Sequence, residues 1–167
     1  MCLLLAGSST AVPPSPTFDS VGSNLNETAD VRVDSFVPDR PALRFGAMDG
    51  LRAYRITSRA AATRLNTDRV EQAGTYGRFI RSTNFSRSFV VVVVFRGSSA
   101  PNYHAADVVR TGYGHLVLLQ ADGDLYTGDE RVETVLVRLR AATPGRVGVG
   151  FVGVRDGPPT AAEPLPA

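Results

Sequence analysis

Residues 89–95 read Phe-Val-Val-Val-Val-Val-Phe, seven apolar side chains in succession with five β-branched residues at the centre. Valine loses χ1 freedom against a helical turn but packs well on a pleated sheet, and a run without polar alternation has to be covered on both faces. Seven residues are too few to cross a bilayer, which takes about 20 in a helix, and they are shorter than the usual buried helix. The run is expected to be a buried strand, and the remaining chain must supply a layer for each side of it.

The flanking sequence supports a β-rich domain. Residues 31–37 alternate imperfectly and stop at Pro38, the pattern of a first strand at an edge. Residues 43–45 and 52–57 are the next extended candidates, separated by Gly46 and the turn signal Asp49-Gly50, and are expected to pair with each other. One helical region follows. Ser58 can cap a short helix over residues 59–65, and Tyr76, Phe79 and Ile80 at i, i+3 and i+4 place one apolar face on a further turn or two over 76–82.

Beyond the valine run, residues 103–110, 115–121, 132–140 and 146–155 read as strands, with turns at Thr111-Gly112-Tyr113-Gly114 and Thr143-Pro144-Gly145. Val135, Val137 and Leu139 fall on one face of the third, Arg138 and Arg140 on the other. Gly148 and Gly150 leave one face of the fourth bare, a signal for close approach of a neighbouring element. The pattern predicts a mainly β fold, an antiparallel β-sandwich or partly open barrel with one short helical segment before the central strand. Residues 31–156 form the single β-rich domain in this reading, and residues 157–167 a disordered tail.

A chain of 167 residues buries roughly 68 to 70% of its unfolded surface as one domain. Cys2 is the only cysteine, so no internal disulfide supports the fold. All 18 basic residues are arginine, set against 16 carboxylates for a net charge of +2. They run from Arg32 to Arg155 without massing in the sequence, so no nucleic-acid footprint is expected. Tryptophan, the strongest anchor for stacked sugars or bases, is absent.

Residues 1–7, Met-Cys-Leu-Leu-Leu-Ala-Gly, look like the end of a secretion signal but lack a basic n-region and a full apolar core. Leu-Leu-Ala-Gly also resembles the lead-in to a lipid-bearing cysteine, with Ser8 standing where that cysteine belongs. Two readings stay open. Either Cys2 is itself the anchored residue and the true start lies upstream, or these residues are an apolar end and Cys2 is a free thiol. From residue 8 to residue 30 the chain turns to Ser, Thr, Pro and Asn, with Pro13, Pro14 and Pro16 close together, the composition of a flexible tether. Asn26-Glu27-Thr28 and Asn84-Phe85-Ser86 are glycosylation sequons, which fit a secreted chain.

Candidate chemistry is sparse. His104 and His115, the only histidines, fall on neighbouring strands of a hairpin, and Asp107 could join them as a metal ligand, although no ligand spacing marks the set. Asp122, Asp124, Asp129 and Glu130 do not follow the calcium-loop pattern and read as a solvated acidic turn. No serine sits in a G-x-S-x-G elbow, Ser98 included, and no glycine-rich phosphate loop is present. The expectation is a protein without catalytic residues or cofactor.

Asn84-Phe85-Ser86-Arg87-Ser88 runs into residues 89–95 and is followed by Arg96-Gly97-Ser98-Ser99, the Tyr103 strand and the 132–139 strand. In this order of elements, from residue 54 to about residue 139, the chain resembles predicted lipoproteins of halophilic archaea, which in turn resemble the C-terminal domain of PrcB-type subunits of a secreted protease complex. Where the PrcB-type pattern has a glycine before the tyrosine, this chain has Pro101-Asn102-Tyr103. The resemblance implies a non-catalytic, extracytoplasmic β domain that binds another protein, touching the membrane only through an N-terminal lipid, and it supplies no active site. A small-ligand or metal-binding β-sandwich is the alternative expectation.

Overall fold

The computed structural model describes residues 33–36, 43, 50–65, 74–98, 102–112, 114–122, 130–141, 144–152 and 159–165. In chain order the elements are β1 (Val33–Phe36), β2 (Arg52–Ile56), α1 (Arg59–Ala62), α2 (Gly74–Arg81), β3 (Phe89–Ser98), β4 (Asn102–Thr111), β5 (Gly114–Asp122), β6 (Glu130–Leu139), β7 (Arg146–Phe151) and β8 (Thr160–Pro164). The strands form one sheet in the order β1-β6-β3-β2-β8-β7-β5-β4. Its two edges, β1 and β4, lie beside each other with Cα atoms within 8 Å, so the sheet is nearly closed into a barrel.

The valine run occupies β3, and its pleat divides it between two cores. Phe89, Val91, Val93 and Phe95 point into the barrel, where Val135, Val137 and Leu139 of β6 and Val117 and Leu119 of β5 meet them. Val90, Val92 and Val94 point outward into a second cluster, covered by Ala62, Leu65, Phe79 and Ile80 of the helical region and flanked by Tyr54, Ile56 and Leu136. Both faces are sealed, which is why no polar residue interrupts the run.

Both expected helices form and do the covering, the first ending at Ala62 instead of Leu65 and the second running over Gly74–Arg81 instead of 76–82. Ser58 caps α1, its Oγ accepting from the Ala61 amide at 3.1 Å. At the end of α2 the Thr83 hydroxyl donates to the Phe79 carbonyl at 2.9 Å. Arg138 stands on the outer face of β6, on the side read as polar, yet it is covered by α2. Its guanidinium sits 4.6 Å from the centre of the Phe79 ring and donates to Ser82 Oγ at 2.9 Å.

Two sequence expectations need correction. The sheet is mixed, since β2 runs parallel to β8 and β5 parallel to β7, while the other pairs are antiparallel. Of the expected strand over residues 43–45 only Leu43 is among the described residues, buried in the outer cluster, and β2 has β3 and β8 as its neighbours. The disordered tail expected over residues 157–167 contains β8, which closes the gap between β2 and β7. Small residues conceal that strand in the sequence. Only Ala162 is buried, opposite Ala53, and the ladders on either side supply the rest of its hold.

Val92 has no exposed surface, so Val92→Asp is expected to abolish cooperative melting, because an unpaired carboxylate in a closed core costs several kcal/mol. Val92→Ala should fold and lose about 2 kcal/mol in a urea titration. A chain ending at residue 159 should lose its sharp thermal transition and bind a dye for exposed apolar surface, since β2 and β7 are left with open edges.

Candidate functional site

The two ends of the barrel carry its polar chemistry. The upper end, where β3 finishes, is closed by three aromatic rings packed edge-on. Phe95 lies 4.7 Å from Tyr103 and 5.0 Å from Phe151, and Tyr103 lies 6.0 Å from Phe151, centre to centre. Glu133 stands opposite Phe95 in the β3–β6 ladder and is buried against this plug.

The lower end, where β3 begins, is basic. His115 follows the inward alternation of Val117 and Leu119 and is 9% exposed, its ring 6.3 Å from that of Phe89. Its ladder neighbours are Arg110 on β4 and Val147 on β7, and its Nδ1 is buried without a hydrogen-bond partner among the described residues. Burial first, and then the positive charge of Arg110, hold the imidazole below its ordinary pKa. Arg55, on the inward face of β2 near the same end, donates through Nη1 to the Gly145 carbonyl, which ties β2 to the lead-in of β7 across β8.

The histidine pair is not brought together. In the β4–β5 ladder His104 faces Gln120 and His115 faces Arg110, so the two are five residues apart along β5, about 17 Å at strand rise. Asp107 lies between them beyond a bulge at Ala106 and accepts from the Val108 amide at 2.7 Å. Among the described residues no group of three His, Cys, Asp or Glu side chains is placed to hold a metal ion. β4 and β5 form the expected hairpin, but its register is not encoded in residue type, because the bulge and the turn decide which positions face each other.

Asn84 lies on the exposed turn between α2 and β3, where its Oδ1 accepts from the Ser86 amide at 3.1 Å and from Ser86 Oγ at 2.7 Å. Cys2, Asn26, Asp124 and Asp129 fall outside the described residues. Asp122 and Glu130 end β5 and begin β6, both at the upper end. No helix among the described residues is long and apolar enough to cross a membrane.

The feature missed in the sequence is a gathering of arginines. Arg87 precedes β3, Arg110 is next to last in β4, Arg140 follows β6 and Arg146 opens β7, and in this up-and-down arrangement all four positions are at the lower end. Arg59 and Arg81 join them from the helices, with Arg59 Nη2 donating to the Arg81 carbonyl at 3.3 Å. Each of the six is exposed. Scattered in sequence, they converge because alternate strand ends return to one rim.

Comparison of the chain with protein-family models, with curated proteins and with solved structures finds no match in any of the three.

The lowered pKa of His115 fixes the sign of its pH dependence. Above about pH 6.5 the imidazole is neutral both folded and unfolded, and below it the unfolded chain takes up a proton that the folded barrel resists. Stability is therefore lost as pH falls from that value toward the lower folded pKa. His115→Leu should remove this component, so that the difference in urea midpoint between variant and parent changes between about pH 7.5 and about pH 5.5, in favour of the variant at the acid side.

Proposed function

We propose that this chain is a non-enzymatic, extracytoplasmic β domain that works by binding or stabilising another protein, held at the cell envelope through its N-terminal segment. The observation that carries the reading is the filled interior. Apolar side chains from every strand between β6 and β4 in the sheet order occupy the barrel, and an aromatic plug closes its upper end. What such a barrel offers to a partner is its outside, where the described residues assemble no group of three metal-ligating side chains. The metal-binding alternative needs His104 and His115 in one coordination sphere, which the ladder register opposes.

The sequence supports the location. Residues 1–7 are apolar, residues 8–30 have tether composition, and Asn84 of the second sequon stands on an exposed turn. The likeness to halophilic archaeal lipoproteins and to PrcB-type C-terminal domains points the same way, toward an anchored module beside a secreted enzyme. The barrel edges are not offered for strand pairing, since β1 is only 4 residues long and β4 carries a bulge, two devices that blunt an edge. Its surface is the means of contact.

Fractionation of native cells, with mass spectrometry of the mature N-terminus, tests the proposal. A lipid on Cys2 or cleavage near Gly7, together with recovery of a specific envelope protein by cross-linking, is the expected result. An unprocessed chain in the cytosol would overturn the location, and an envelope-bound chain with no cross-linked protein would overturn the binding role.

A further inference from the structure

We propose that the arginine-rich lower end of the barrel is a docking surface for anionic lipid headgroups, which holds the domain against the membrane with that end inward. The inference rests on the envelope location proposed above and adds an orientation and a ligand class to it. Arg59, Arg81, Arg87, Arg110, Arg140 and Arg146 are exposed there, and none is in an ion pair among the described residues. Of the acidic positions that the structure describes, Asp122, Glu130 and Glu133 are at the upper end and Asp107 is along the wall, while Asp34, opposite Arg138, and Glu163, next to last in β8, are at the lower end, two acidic positions against six exposed arginines. Among the described residues the lower end thus carries an excess of exposed arginine over acidic positions, whereas Arg52 and Arg96 at the upper end share it with Asp122, Glu130 and Glu133.

The covalent path leads to the same place. β1 begins at Val33 opposite Leu139, so residues 1–32, with Cys2 and the apolar start, join the barrel at its arginine-bearing end. A Ser/Pro-rich segment of that length, taken as a random coil, would have a root-mean-square reach of roughly 30 Å, about the diameter of a small domain. Anything that fixes residues 1–7 to a bilayer therefore keeps the lower end within a short distance of the headgroups, at high effective concentration.

The chemistry of the cations suits phosphate. Guanidinium groups keep their charge at any physiological pH and present a planar fork to phosphate oxygens. Their distribution favours a broad surface over a single strand, because they come from four strand ends and two helices around a rim instead of lining one groove. Each arginine held at an anionic bilayer is worth roughly fivefold in partitioning at low salt, and that attraction fades within a Debye length of about 10 Å.

The test is cosedimentation of the full-length protein with vesicles of phosphatidylcholine alone or with about a third phosphatidylglycerol. The expected result is binding to the anionic vesicles, at least tenfold weaker binding to the neutral ones, and a steep fall between about 50 and about 200 mM salt. The variant R87Q/R110Q/R146Q should bind the anionic vesicles roughly 100-fold more weakly with its melting temperature unchanged. Equal binding to both vesicle types, salt-insensitive binding by the parent protein, or a folded triple variant that binds like the parent would each overturn the proposal. Capture of double-stranded DNA with no vesicle binding would assign the surface to nucleic acid and overturn it as well. Vesicle binding by a chain found unprocessed in the cytosol would remove the location and leave the lipid surface standing.

Discussion

Two-sided burial of β3 is the constraint on which the structure depends. A strand covered on one face can belong to many sheets, but one whose even and odd positions are both apolar requires a layer above and a layer below. The chain meets the two demands with different elements. Curling the sheet brings β4, β5 and β7 around to cover the inward positions Phe89, Val91, Val93 and Phe95, while α1, α2 and Leu43 lie over Val90, Val92 and Val94. Curvature and helical cover are thus two answers to one requirement, and losing either would leave valines in water at about 25 cal/mol per Å² of apolar surface.

Features governed by local physics were legible in the sequence. The valine run, the Ser58 cap and the Phe79–Ile80 face depend on residues within one or two turns of each other, and the structure places each of them as a strand, a cap and a buried helix face. Features that depend on partners distant in the chain were not. β8 has no hydrophobic signature, because Thr160–Pro164 is held by backbone ladders to β2 and β7 and by one buried alanine. The distance between His104 and His115 depends on a bulge at Ala106 that no residue type announces. Arginines dispersed from Arg59 to Arg146 read as evenly mixed along the chain and become a rim only when strand directions are known.

A filled barrel shifts the expected function from its inside to its outside. In barrels that hold a small ligand the interior is left partly empty or lined with polar groups, whereas here valine, leucine and phenylalanine occupy it from Phe89 to the aromatic plug. The ionisable groups that face inward sit near the ends, with His115 below and Glu133 above. Among the described residues the two rims differ, an aromatic plug closing one and six exposed arginines gathering at the other, so the domain has a direction as well as a shape.

The position of β8 in the sheet also has a consequence for the order in which the domain comes into being. Its neighbours β2 and β7 lie on either side of a gap that nothing earlier in the chain fills, and the β2–β8 ladder joins Ala53 to Ala162 across most of the sequence. Contacts of such long range form late, and a sheet that waits for them folds slowly. During synthesis the two halves can gather around β3 and around β5, but the barrel cannot close until residue 164 has emerged. Until then β2 and β7 present open edges, so the moment at which the barrel shuts is set by the arrival of β8.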